Sequence, residues 1–294
     1  MLKYEELKAK DLIKQAIIIE PRQTLYEVRS IMIRYNISRV VIAKDKKPLG
    51  IITEKDIARF LYTEVPNRRL NEISVNEIMS TDLIKDEEQT NLDICARTML
   101  EKKISSIVVV DNQELKGIIT KSDMVEAYAR HYPSKLKVDQ YMTKNVITVA
   151  PDENLHVILL LMRDNQISRV IVTRDNKPIG IVTGHDLLPV SILFGTGVWI
   201  GLLPSGYRTS QEELVARRRV QRFIPAGIKA IFLAGDMMKY DPITIAKDAD
   251  LIEASQLMIN HRISGLPVVE SNSGTLAGII TKTDIVKGIA SYSK

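Results

Sequence analysis

The chain has 294 residues, 45% apolar and 26% charged, with 41 basic against 36 acidic side chains and a formal charge of +5. That balance predicts a globular, soluble chain of two ordinary domains or several small ones. The small positive excess mildly favours anionic ligands such as phosphates but is too small to argue for nucleic acid, which is not expected as a partner. The single cysteine, Cys95, excludes an intrachain disulfide and fits a reducing, cytoplasmic location.

The first residues, MLKYEELKAKDLIK, are charged and amphipathic, unlike a signal peptide. A first repeat follows: an entry strand at Ile17–Ile19, a helix holding Met32, and the hairpin ISRVVIAKDKKPLGIIT (Ile37–Thr53), which ends in GIITEKD (Gly50–Asp56). The second repeat enters through DLIKDEE (Asp82–Glu88) and places Cys95 mid-helix, where it reads as a small core residue. It closes on GIITKSD (Gly117–Asp123).

The third repeat is the clearest. Val146–Val149 is a short β-rich run closed by Pro151, and Leu155, Ile158, Leu159 and Met162 recur at helical spacing. Arg169–Thr173 is β-branched and reads as a strand, Asp175–Pro178 as a turn, and Ile179–Thr183 as the returning strand. Thr183 in GIVTGHD (Gly180–Asp186) then caps a second helix. The uncharged run Leu187–Tyr207 holds four Gly and two Pro, which reads as a surface loop or contact rather than a membrane span, so no membrane insertion is expected. It opens an insertion, residues 193–232, whose segment ELVARRRVQRF (Glu213–Phe223) is basic. The insertion is expected to be a contact surface within the molecule or between subunits, making the protein a homo-oligomer. The fourth repeat carries ISGLPVV (Ile263–Val269) and GIITKTD (Gly278–Asp284).

Four landmarks keep register. The motif glycines Gly50, Gly117, Gly180 and Gly278 lie 67, 63 and 98 residues apart. Ile37, Ile104, Ile167 and Ile263 precede them by 13, 13, 13 and 15 residues. Met32, Met99, Met162 and Met258 lie five residues earlier still, and Met79, Met142 and Met238 stand 20 residues before the last three of those. One β-α-β-β-α unit is therefore written four times, over residues 8–62, 73–131, 136–192 and 233–293, in an α/β (α+β) fold. Repeats 1 and 3 match best, so the units pair as 1+2 and 3+4. A unit of about 60 residues buries too little surface to stand alone.

Thr-x-x-Asp at a helix start is a capping box, which needs no ligand. The same geometry also suits a nucleotide, with phosphate at the helix N-terminus and ribose hydroxyls on the acid. From the residues alone both readings stand. The unit resembles the CBS domain, first named in cystathionine β-synthase, two copies of which form a disc called a Bateman module. The resemblance rests on ITVAP (Ile147–Pro151), ISGLPVV and the four GI[IV]TxxD motifs. It implies two Bateman modules that bind adenosine ligands, with AMP the first choice ahead of ADP, ATP and S-adenosylmethionine. On that resemblance ribose falls to Asp56, Asp123, Asp186 and Asp284, and phosphate to Thr53, Thr120, Thr183 and Thr281. Adenine falls to the strand backbone at Ile17, Ile147, Thr148, Ile243 and Thr244, and to Ser38, Ser168, Ser264 and Gly265. Arg39 and Arg169 would reach phosphate or line a solvated rim. His185 would touch phosphate or stand exposed on its helix, and the acidic entry of repeat 2 would repel a polyphosphate.

No catalytic constellation is present: the four histidines are scattered and lack metal-ligand spacing. The expected role is therefore an energy sensor that regulates a separate protein, not an enzyme. The alternative is a protein- or DNA-interaction regulator with vestigial sites, for which the basic segment is the only feature.

Overall fold

The computed structural model describes residues 4–35, 37–54, 56–57, 60, 70–133, 135–184, 186 and 232–292. His185, the insertion from 193 and the basic segment thus lie outside the described residues, apart from Phe232.

Four small sheets account for the strands, one per repeat. They are β1 (Ile18–Ile19), β2 (Arg39–Lys44) and β3 (Lys47–Thr53); β4 (Lys85–Glu87), β5 (Ser106–Asp111) and β6 (Glu114–Thr120); β7 (Thr148–Val149), β8 (Arg169–Arg174) and β9 (Lys177–Thr183), with β10 (Lys239–Tyr240) added; and β11 (Ile245–Ala246), β12 (Gly265–Val269) and β13 (Leu276–Thr281). In each, the entry strand runs parallel to the first hairpin strand and the hairpin is antiparallel. Entry strands are only two or three residues long, shorter than the β-rich runs of the sequence. The first three hairpins turn on paired positive-φ residues, Asp45-Lys46, Asn112-Gln113 and Asp175-Asn176. That is the backbone two-residue hairpins require, supplied mostly by Asp and Asn, which tolerate it best among non-glycine residues. The fourth uses Gly274 (φ 69°) in a wider turn, which accounts for its longer spacing. The helices Leu25–Tyr35, Leu92–Glu101, Leu155–Asp164 and Leu251–Asn260 each bury their landmark methionine, Met32, Met99, Met162 and Met258.

The repeats are joined by exchange of their lead-in segments. Before each entry strand runs a short turn of helix with one fully buried residue: Ala9, Val75, Val138 and Ala234. It docks on the other member of the pair, not on its own repeat. The Ala9 amide donates to Thr90 of repeat 2, Val75 to Gln23 of repeat 1, Val138 to Ala249 of repeat 4, and Ala234 to Glu153 of repeat 3. Next, the chain lays one or two residues along the partner's last strand. Lys14 and Ile118 exchange two backbone bonds at 3.1 and 3.0 Å, as do Ser80 with Ile51 and Thr143 with Ile279. Lys239 pairs with Ile181 as β10. The motif glycine lies one residue before each landing point. A Cβ on Gly50, Gly180 or Gly278 would meet the sulfur of Met79, Met238 or Met142 at 2.2–2.7 Å. On Gly117 it would meet the Lys14 carbonyl oxygen at 2.4 Å and Ile13 at 2.5 Å. The two landmarks are thus the two sides of one contact, and they show that repeats 1 and 2 form one pair and 3 and 4 the other. Touching hairpin tips repeat the pairing: Leu115 donates to Lys46 and Leu276 to Asn176.

The pairs meet helix against helix. One core runs through repeats 2 and 4, where helices Leu92–Glu101 and Lys121–His131 pack on Leu251–Asn260 and Lys282–Ser291. Tyr4, Tyr132 and Tyr292 cluster at its edge, ring centres 5.0–5.2 Å apart. Cys95 is fully buried in this core, as expected. Its thiol is pushed up by burial and by the neighbouring Asp86 carboxylate, so it stays protonated and unreactive in the folded state.

Candidate functional site

Each Thr-x-x-Asp motif folds as the capping box its spacing dictates. The acid's Oδ2 accepts the threonine backbone N–H and its hydroxyl: 2.9 and 2.6 Å at Asp56, 2.7 and 2.6 Å at Asp123, 2.9 and 2.6 Å at Asp186, and 2.9 and 2.7 Å at Asp284. In repeats 1 and 2 the Asp amide donates back to the Thr hydroxyl at 3.3 and 3.4 Å. The amide just after the threonine is also taken, by the carbonyl of Ser38, Ser105, Ser168 or Ser264. A helix start that would leave several amides open therefore has two of its first three satisfied in repeats 1 and 2. The open N-terminus expected from the sequence is narrower than that.

The box uses one carboxylate oxygen. Among the described residues the other, Oδ1, meets a lysine ammonium in repeats 2, 3 and 4: Lys14 on Asp123 at 2.6 Å, Lys239 on Asp186 at 3.3 Å, and Lys287 on Asp284 at 2.7 Å. Lys14 and Lys239 arrive on the exchanged lead-in strands of the partner repeat, and Lys287 lies one turn along the same helix. Three of the acids, Asp56, Asp123 and Asp284, are buried, in a chain where Ser255 is the only other buried polar residue described. Capping and binding therefore do not exclude each other, since they use different oxygens.

Arg39 and Arg169 are not rim residues. Each turns inward across its pair. Arg39 donates to the Ser105 carbonyl at 2.9 Å and to Ser38 Oγ at 3.2 Å, and Arg169 donates to Ser264 Oγ at 2.9 Å. Burial pushes both guanidinium values down, while Asp123 and Glu54 on one side and Asp284 on the other oppose this. Gly265 is small for this reason: a Cβ there would stand 2.2 Å from Arg169 Nη1. Two lysines cross between the pairs. Lys121 donates to Thr283 Oγ1 at 3.0 Å, and Lys282 donates to Ser122 Oγ at 2.9 Å. Burial lowers the Lys282 ammonium, with Arg169 and Arg39 adding repulsion. The helix starts of repeats 2 and 4 thus face one another across a cluster of four cations. Sequence reasoning found the arginines and missed all five lysines. Lys14 and Lys239 each directly follow the residue, Ile13 or Met238, that crosses the partner's glycine.

The proposed adenine contacts sit where parallel pairing brings the entry strands beside the Ile-Ser strands. Thr148, Ser168 and Ser264 are exposed, Ile17, Ile147, Ile243, Thr244 and Ser38 half-buried, and Gly265 buried. The Ile17 carbonyl is already occupied by the Val41 amide. The acidic entry of repeat 2 is not all turned outward: Asp86 faces Cys95, and burial raises its carboxyl. No group of His, Cys, Asp and Glu fit to hold a metal occurs among the described residues, and no helix among them is long and apolar enough to cross a membrane.

Comparison with known proteins fits this geometry. The uncharacterized protein MJ1225 of Methanocaldococcus jannaschii is 26% identical over 292 residues, 94% of this chain and 96% of that one. Its crystal structure, described as that of a candidate archaeal homologue of γ-AMPK, superposes with a TM-score of 0.71 over 97% of this chain and 100% of that one, at 24% identity. An uncharacterized protein from Pyrococcus horikoshii superposes with a TM-score of 0.65 at 20% identity, over 96% of this chain and 100% of that one. A homoserine O-acetyltransferase of Methanosalsum zhilinae is 35% identical over 104 residues, covering 35% of this chain and 20% of the enzyme. The family model of the CBS domain matches four times, at residues 9–63, 75–130, 138–192 and 234–291. With four matched segments that share one strand-helix-hairpin unit among the described residues and pair by exchange, the chain belongs to the CBS domain family.

Proposed function

We propose that this protein is a nucleotide-sensing regulator, without a catalytic role of its own, whose paired repeats take adenosine ligands, AMP before ADP, ATP or S-adenosylmethionine. The observation that carries this reading is the second carboxylate oxygen of the motif acids. It is not spent on capping, and in repeats 2, 3 and 4 it is matched to a cation. An acid held this way can accept both hydroxyls of a ribose. The helix start beside it, with Arg39 or Arg169 and the crossing lysines nearby, offers positive potential for a phosphate. With two of its first three amides already bonded in repeats 1 and 2 and no glycine-rich loop, a single phosphate suits the space better than a chain of three. Shape change between the pairs would carry the signal to a separate protein, because the cation cluster joins repeats 2 and 4.

Calorimetry with AMP, ADP, ATP and S-adenosylmethionine tests this directly. AMP should bind, and Asp284→Ala should weaken it by about tenfold or more, the loss of one or two charge-assisted bonds. Asp284→Asn should lose less. The reading fails if none of the four ligands gives heat or a thermal shift. It also fails if the alanine variant loses stability, as a broken cap would, but keeps full affinity.

A further inference from the structure

Lys14 and Lys239 occupy one and the same place. Each is the residue just after the landmark that crosses the partner's glycine, and each is pinned by backbone pairing to the isoleucine after that glycine, Ile118 or Ile181. The other two lead-in strands put Ser80 and Thr143 there, opposite Ile51 and Ile279. The four clefts are therefore of two kinds. Those of repeats 2 and 3 receive an ammonium from the partner repeat, and those of repeats 1 and 4 receive a hydroxyl.

The pairs have an unequal form. The Lys14 side chain is 61% exposed and the Asp123 side chain 4%; Lys239 is 66% exposed and Asp186 12%. The ammonium lies over a carboxylate that is otherwise nearly closed to solvent. An exposed ion pair by itself contributes little to stability. Lys14 has a second anion within reach, Glu126 at 3.2 Å. A ribose arriving at Asp123 or Asp186 must take the oxygen the lysine now holds. The lysine then needs a new anion, and the ligand brings one if it carries a phosphate. Asp123 and Asp186 hold the Thr120 and Thr183 hydroxyls on their other oxygen, and at Asp123 the ammonium and the start of the Lys121–His131 helix flank the same carboxylate.

We infer that Lys14 and Lys239 are specificity residues for the clefts of repeats 2 and 3, holding the acid while the cleft is empty and passing to the phosphate of the ligand. This rests on the nucleotide reading above. These two clefts then select phosphate-bearing nucleosides over uncharged ones. The strand exchange makes this selection a property of the pair, since each lysine belongs to one repeat and serves the other.

The test is calorimetry of the full chain with AMP and with adenosine, for wild type, Lys14→Ser, Lys239→Thr and the double variant, with Lys14→Arg as the conservative control. These exposed positions should leave the melting temperature near that of wild type. In the double variant the preference for AMP over adenosine should fall about tenfold or more at the affected clefts, the worth of one charge-assisted bond, while Lys14→Arg keeps it. If AMP and adenosine gain affinity together, the lysines merely compete with the ligand and the inference is wrong. An unchanged preference with binding intact also overturns it, leaving the nucleotide reading untouched. A wild type that binds neither ligand overturns the inference, and one that also gives no heat with ADP, ATP or S-adenosylmethionine removes the nucleotide reading with it.

Discussion

Replacing Gly117 by alanine should be far more costly than replacing Gly50, although both open the same motif. The added methyl at 117 meets the Lys14 carbonyl oxygen at 2.4 Å and Ile13 Cγ2 at 2.5 Å. A backbone oxygen cannot rotate away, so the lead-in strand must lift off β6. That strains packing by about 1–3 kcal/mol and loosens the two Lys14–Ile118 bonds, worth about 1 kcal/mol each. Against this stands a gain of about 0.4–1 kcal/mol from a stiffer unfolded chain, available because the glycine has no positive φ. The net loss is about 2–4 kcal/mol. At Gly50 the methyl meets the Met79 sulfur at 2.6 Å and its Cγ at 3.0 Å. A thioether can swing into another rotamer, and the cost there is about 1 kcal/mol or less. Urea denaturation followed by circular dichroism should give a much lower midpoint for Gly117→Ala. Hydrogen exchange should show the Lys14 and Ile118 amides opening in that variant alone. Equal midpoints for the two variants, or unchanged protection of the Lys14 amide, would refute the exchange as the reason for the glycine.

Two further outcomes follow from the same contacts. Asp86 occupies the register position that Ile19, Val149 and Ile245 fill in the other repeats, all buried, and its Oδ2 is buried without a hydrogen-bond partner. Asp86→Val should therefore stabilise the protein by about 1 kcal/mol at neutral pH. Because burial raises this carboxyl in the folded state, its contribution is fully present below the ordinary carboxylate range and is lost as pH rises through the folded value. Thermal melts from about pH 4 to pH 7 should show the variant's advantage growing with pH; a constant advantage would contradict the assignment. Gly265→Ala should push Arg169 off Ser264 with a stability cost of about 1 kcal/mol, since most of the clash is with the end of a flexible side chain. Its effect on nucleotide affinity should match that of Arg169→Ala, and the double variant should be no weaker than either. Additive losses would place the two residues in separate roles.

Local features were legible and cross-repeat ones were not. The hairpins could be read because β-branched runs and an Asp-Asn-Lys-Pro turn specify them within a dozen residues. The capping box could be read because Thr and Asp touch three residues apart. Gly180 and Met238 were each visible as landmarks, but 58 residues of chain separate them, and nothing local says that one crosses the other. Arg39 and Arg169 were named, but an arginine after a serine reads equally as a phosphate contact or a solvated rim residue until the partner repeat is placed against it. Lys14 and Lys239 were missed for a different reason: a lysine in a charged lead-in is ordinary, and it becomes notable only when the four lead-ins are aligned and Ser80 and Thr143 appear in the same place. The entry strands came out shorter than their β-rich runs because only the residues facing a hairpin partner find backbone bonds.

Exchanging lead-in segments has a consequence for how such a chain can grow or shrink. A repeat cut away alone would take with it the strand that covers its neighbour's sheet edge, and would leave its own edge bare. Bare edges invite pairing with other molecules. Gain or loss of a single copy therefore makes two damaged halves, whereas gain or loss of two copies leaves every edge covered. The heritable unit is the couple, and repeat 1 looks more like repeat 3 than like the neighbour it is bound to.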